Sequence, residues 1–144
     1  LALGCTVSAL LFTADFRRRR AEAGLPAEAR LAALQRAAAE PGATADEWRA
    51  FARALSDAGR FGPAAQAWRR TLDLAPYDAE AAEGLAVALA ESGDREALLG
   101  YLEEYVMLDS RLALLTLQRP ALARYASDAR YGRLLAEARS QAVD

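Results

Sequence analysis

Residues 45–78 read ADEWRAFARALSDAGRFGPAAQAWRRTLDLAPYD, and residues 79–112 read AEAAEGLAVALAESGDREALLGYLEEYVMLDSRL. Laid one over the other, Ala52, Leu55, Gly59, Leu72 and Leu74 of the first stretch meet Ala86, Leu89, Gly93, Val106 and Leu108 of the second. A period of about 34 residues is the spacing of helix–turn–helix units that stack side by side. Paired helices of ~14 residues cannot bury their apolar faces alone, so each pair needs a neighbour. Small residues such as Ala52, Ala64 and Ala86 let helices approach closely, while Trp48, Phe61 and Trp68 fill the larger gaps. This period predicts an all-α fold, a short helical solenoid.

Working outward, 21–44 (AEAGLPAEARLAALQRAAAEPGAT) is helical by propensity, being mostly Ala, Leu, Glu, Arg and Gln. Pro26 suits the first turn of a helix on which Leu31 and Leu34 share a face, and Pro41-Gly42 ends it. Thr44 and Asp46 are both candidates to cap the next helix. On the other side, 113–144 reads as a helical cap. Pro120 starts one helix there, and Ser127 or Asp128 caps a last one with Tyr131, Leu134, Leu135 and Ala138 on one face. Leu112, Leu114, Leu115 and Leu117 fall within six residues. On one helix Leu114 and Leu117 share a face, and Leu115 lies about 100° round from Leu114. The final helix is expected to cover part of this apolar surface, and a neighbouring protein the rest, with Leu112, Leu115 and Leu117 as the candidate partner or cap surface.

The inventory excludes most chemistry. The 144 residues hold one Cys and no His, and all 18 basic residues are Arg. Disulfide frameworks, thiolate metal clusters, His-dependent triads and Schiff-base lysines are therefore absent. Carboxylate neighbours such as Glu103 and Glu104, or Asp46 and Glu47, point to different helix faces and read as solvated charges rather than a desolvated acid/base pair. Tyr101, Tyr105, Tyr125, Tyr131 and Met107 read as packing residues rather than a stacking platform, and any exposed part of the set would form a partner surface. No catalysis, cofactor or metal is expected. Four of the arginines are consecutive, and the rest of the chain is net acidic, which argues against nucleic acid as a partner.

The first repeat resembles the tetratricopeptide repeat (TPR) family. Trp48 stands at that family's aromatic opening position, Gly59 and Phe61 at its turn, Ala64 at its helix crossing, Trp68 beside it and Pro76 at its terminator. Thr71 departs from the usual Ala, and Phe51 and Ala52 from the usual Leu-Gly pair. The second copy keeps Gly93 but has Ala82 for the aromatic, Leu98 at the small position and Ser110 for Pro. The resemblance implies a groove lined by the first helix of each repeat, here with Asp46, Arg49, Arg53, Glu80, Glu83 and Val87. Of the family's peptide-carboxylate clamp, Arg49 matches the charge of the Lys, but Arg53 and Gly84 stand where Asn is expected. Arg49 and Arg53, one turn apart, are expected to pair with Glu80 and Glu83 across the groove, the alternative being a grip on an acidic peptide.

The chain opens LALGCTVSALLFTADFRRRR. Leu3, Val7, Leu10, Leu11, Phe12 and Phe16 precede Arg17, Arg18, Arg19 and Arg20, with no charge before Asp15. As a helix, Leu1 to Phe16 would reach roughly 24 Å against a hydrocarbon core of ~30 Å. Residues 1–20 are read as the exit half of a membrane anchor with a basic stop cluster on anionic headgroups. Ala2-Leu3-Gly4-Cys5 also resembles a bacterial lipobox, which would place a lipidated protein in the periplasm. The expected organisation is thus anchor (1–20), partial repeat (21–44), two TPR-like repeats (45–112) and cap (113–144). The expected role is a protein–protein interaction scaffold: an accessory subunit at a bacterial inner membrane, its folded part cytoplasmic. The alternative is an assembly factor holding an extended client, as TPR proteins of cytochrome c maturation do.

Overall fold

The computed structural model describes residues 27–143. Among these the regular structure is entirely helical: α1 (residues 27–39), α2 (Ala45–Asp57), α3 (Phe61–Leu74), α4 (Ala79–Ser92), α5 (Arg95–Leu108), α6 (Ser110–Leu117), a 3-10 turn (Pro120–Tyr125) and α7 (Ala129–Val143). The expected anchor over 1–20 lies outside the described residues. Among those described, no helix is long and apolar enough to cross a membrane.

Short polar side chains start the helices. Thr44, not Asp46, caps α2: its Oγ1 accepts from the Glu47 N–H at 3.4 Å, and its own N–H donates to Glu47 Oε2 at 2.7 Å. Reciprocal capping of this kind satisfies two donors that a helix start leaves orphaned. Asp78, Asp94 and Asp109 cap α4, α5 and α6 in turn, each carboxylate accepting a backbone N–H three residues on at 3.0–3.1 Å. Asp128, rather than Ser127, does the same for α7, with the Arg130 N–H at 2.8 Å. Gly59 and Gly93 turn the chain between paired helices at φ 70° and 78°, a region that costs other residues steric strain.

The period carries into three dimensions. α4 starts thirty-four residues after α2 (Ala79 after Ala45), and α5 the same distance after α3 (Arg95 after Phe61). α7 begins at Ala129, one period beyond Arg95. Its buried face, however, is Tyr131, Leu134 and Ala138, whose equivalents in α5 are Ala97, Gly100 and Glu104, none of them fully buried. α7 is therefore rotated about its axis and closes the stack instead of extending it. The expected boundary at 112/113 falls inside α6, because Asp109 starts a helix where a repeat terminator was expected.

Successive helices pack on one another: α2 on α3, α3 on α4, α4 on α5, and α5, α6 and α7 together. Alanines 52, 64, 86, 90 and 138 are fully buried and bring helix axes close, while Leu98, Leu99, Leu102 and Leu122 fill the interior. Burying each leucine contributes ~1.5–3 kcal/mol. Trp68 is buried between α3 and its neighbours, its indole N–H donating to Ser56 Oγ at 3.3 Å. It lies flat against Gly84 of α4, where a β-carbon would come within 2.5 Å of the ring. Where the second repeat lacks an opening aromatic, at Ala82, the α5 residue Tyr101 fills in, its hydroxyl donating to the Ala82 carbonyl at 3.1 Å.

Candidate functional site

Two surfaces compete for the role of binding site, and electrostatics separates them. The first is the charged face of α2 and α4 that the resemblance nominated. Arg49 lies against Asp78, with Nε 2.8 Å from Oδ2, and also contacts Asp46 at 2.6 Å. Arg53 pairs with Glu80. Glu83 is taken by Arg119 from beyond α6 at 2.6 Å, and Glu91 by Arg124 of the 3-10 turn at 2.8 Å. The pairing across the groove therefore exists, but shifted: Arg49 reaches the cap residue Asp78 rather than Glu83. Val87 is half-buried against the core.

These pairs act as ties between successive elements. Burial alone would raise the Asp78 carboxyl, but the Ala81 N–H and the Arg49 guanidinium outweigh it and hold its pKa below the ordinary aspartate value. Arg49 and Arg53 are held protonated more firmly by their carboxylate partners, Asp78 and Glu80 respectively. On the opposite edge Arg130 grips Glu103 at 2.6 Å and Arg95 grips Asp128 at 2.7 Å, and both carboxyls are lowered by their guanidinium partners. A ligand on this face would have to displace an internal partner at nearly every charged residue.

The second surface is a cleft of about 1180 Å³ that runs along α3. Trp48 and Phe51 of α2 wall one part; Leu72 of α3, Leu85 of α4 and Tyr101 and Tyr105 of α5 wall another. The two tyrosines stack with ring centroids 5.7 Å apart. Burial first, then the neighbouring Tyr105 and Glu104, push the Tyr101 phenol well above its ordinary value, so it stays a neutral hydrogen-bond donor at any physiological pH. Small residues Ala97 and Gly100 keep the α5 wall open. Arg69 and Glu104 also line the cleft, and among the described residues neither has an ion-pair partner. Leu108 lines the cleft as well, and Leu74, Tyr77 and Met107 are likewise exposed, at the C-terminal ends of α3 and α5 and in the turn after α3.

The remaining nominated residues divide cleanly. Ala64 and Trp68 are core, Trp48 and Phe61 are half-buried, and Gly59 and Gly93 are turns. Pro76 lines the cleft. Of the two roles left open for Leu117, partner contact or cap surface, its 3% exposure places it in the chain's own core under the last helix. Its carbonyl accepts the Tyr131 hydroxyl. Leu112 packs partly on the core, and Leu115 alone of the three points outward, at 61% exposure. Leu3, Val7, Leu10, Leu11, Phe12, Phe16 and Arg17 to Arg20 lie outside the described residues.

The cleft itself was not nominated from sequence, where Tyr101 and Tyr105 were read as packing residues that would form a partner surface if part of their set were exposed. The signal was present in the small residues Ala97 and Gly100 on the same helix face as Tyr101 and Glu104, but only knowledge of which helices flank α3 gives it meaning. No protein-family model matches this chain, and no curated protein or solved structure matches it either.

Proposed function

We propose that this chain is a non-catalytic interaction scaffold built from TPR-like repeats, acting as an accessory subunit of a bacterial membrane complex. The observation that carries the reading is the contrast between its two faces. The charged face is consumed by internal pairs, while an open cleft has aromatic walls and Leu74, Tyr77, Met107 and Leu108 stand exposed on the helices that form it or the turn after them. Large exposed apolar side chains beside such a cleft favour a contact with another molecule. The residue inventory, with no His, no Lys and one Cys, supports docking over chemistry.

On this reading residues 1–20 hold the domain at the bilayer, with Arg17 to Arg20 against anionic headgroups and the folded part cytoplasmic. Protease added to intact spheroplasts should then leave the folded part uncut, and digestion from outside would favour a periplasmic lipoprotein instead. Affinity purification tests the role itself. A subunit co-purifies in fixed stoichiometry with one mature complex. Weak recovery with an incomplete client would replace this reading with that of an assembly factor.

A further inference from the structure

The surface around the cleft along α3 carries both a hollow and the side chains to fill one. Pro76 and Leu108 line the cleft, so the turn after α3 and the C-terminal end of α5 meet there. Tyr77 adjoins Pro76 and Met107 adjoins Leu108, and the two stand 86% and 76% exposed. Leu74, next to the lining residue Asp73, and Leu108 itself are more than half exposed. Chain neighbours lie about 3.8 Å apart at their Cα atoms, so these four side chains form a rim at one end of the cleft. A rim of projecting apolar side chains beside a concave wall is complementary to itself. A two-fold axis can lay the projections of one copy on the hollow of the other.

The area is of the size such a contact needs. At ~200 Å² for a fully exposed large side chain, the four rim residues leave roughly 500 Å² open. A standard interface covers ~800 Å² on each partner, and the half-buried walls Trp48, Phe51, Leu72 and Tyr101 add to the rim. Charge permits the pairing. Among the described residues the charged side chains lining the cleft are Arg69, Arg70, Asp73 and Glu104, two of each sign. A surface of one sign would repel its own copy; this one is neutral. The rival occupant is the chain's own residues 1–26, which carry four arginines against Asp15 and Glu22. A neutral cleft offers that basic surplus no excess of acid to meet.

We propose that this surface is the interface of a two-fold dimer of the chain, with Leu74, Tyr77, Met107 and Leu108 of each copy seated against the cleft of the other. The inference rests on the reading of the cleft as a docking surface and names its occupant. In such an interface every substitution enters twice, once from each copy.

The test measures the mass of the full chain by sedimentation equilibrium in density-matched detergent over a range of concentrations. Met107 is the chain's one methionine, so oxidation of its thioether to the sulfoxide by hydrogen peroxide, read as a mass gain of one oxygen, reports cover at the rim. The wild-type chain should pass from monomer to dimer with a midpoint of about 1–10 µM. At ten times the midpoint roughly a fifth remains monomeric by mass action, so Met107 oxidation should slow about fivefold. Leu74→Asp and Tyr77→Asp should each raise the midpoint about 10–100-fold. Helix content should stay unchanged, because both side chains are exposed in the folded chain. A monomer up to about 0.5 mM, or a dimer whose midpoint ignores both substitutions, overturns the proposal. Slow oxidation that is independent of concentration and quickens in Leu10→Asp would assign the cleft to the chain's own opening and overturn it equally. A monomer that co-purifies with a mature complex, and loses it in Tyr77→Asp, would give the surface to a different protein; the second copy would fall and the scaffold reading stand. A rim-dependent dimer that co-purifies with nothing would do the reverse.

Discussion

Replacing Gly84 with Ala places a methyl carbon 2.5 Å from Cε2 of Trp68 and 2.8 Å from Cδ2 and Cζ2. Carbon atoms pack comfortably at ~3.5–4.0 Å, so the indole or the helix must move by about 1 Å. The ring has little room to yield: it is 3% exposed and held by its bond to Ser56. Overpacking of this kind costs about 1–3 kcal/mol, against a gain of roughly 1 kcal/mol for Ala over Gly within a helix. With the contact this short, the net loss should be about 1–2 kcal/mol. Trp68→Ala alone should cost about 3–5 kcal/mol. In that background the obstacle is gone, and Gly84→Ala should stabilise by roughly 1 kcal/mol. The sign of one substitution thus depends on a residue sixteen positions away. Urea unfolding of the four proteins, followed by far-ultraviolet circular dichroism, measures the cycle. If Trp68→Ala leaves too little stability, Trp68→Leu serves as the second background. Gly84→Ala having the same sign in both backgrounds would refute the seating of Trp68 on α4.

Three further outcomes follow from the same packing. Leu117→Ala should cost about 2–5 kcal/mol and Leu115→Ala less than about 0.5 kcal/mol, read as thermal unfolding; equal effects would contradict the assignment of Leu117 to the core. Tyr101→Phe should cost about 0.5–1.5 kcal/mol without altering helix content, since it removes only the bond to the Ala82 carbonyl. The lowered carboxyls of Asp78, Glu103, Asp128 and Glu47 set the sign of the acid response. Their contribution is fully present above the ordinary carboxylate range near pH 4, and it is lost as pH falls through their lower folded values. Thermal scans should therefore show stability falling below about pH 4, less steeply in Asp78→Asn, and a rise on acidification would contradict the pairing.

The repeat was legible because Ala52, Leu55 and Gly59 recur at Ala86, Leu89 and Gly93, and helix period and turn chemistry are local properties that a one-dimensional pattern carries. Capping was legible only as a choice, since Thr44 and Asp46, or Ser127 and Asp128, offer similar oxygens and backbone geometry decides between them. The partners of Arg49 and Glu83 were not legible. They depend on the axial stagger of α2 against α4 and on where the chain after α6 returns, which no periodicity encodes. Leu115 and Leu117 were left open between partner and cap surface because four leucines in six residues fix a surplus of apolar surface but not which face turns inward. The contact of Trp68 with Gly84 joined two residues that the sequence had placed in separate roles, one as a core aromatic and one as a missing clamp residue. The cleft went unseen because its walls come from several successive helices whose mutual packing no one-dimensional pattern carries.

The central claim is that this chain works as a fixed part of a larger membrane assembly. Native electrophoresis of gently solubilised membranes, with the chain at its natural level, tests it most directly. Nearly all of it should migrate in one assembly far larger than the free chain. Recovery as the free chain alone, with no larger form in the membrane fraction, would contradict the claim.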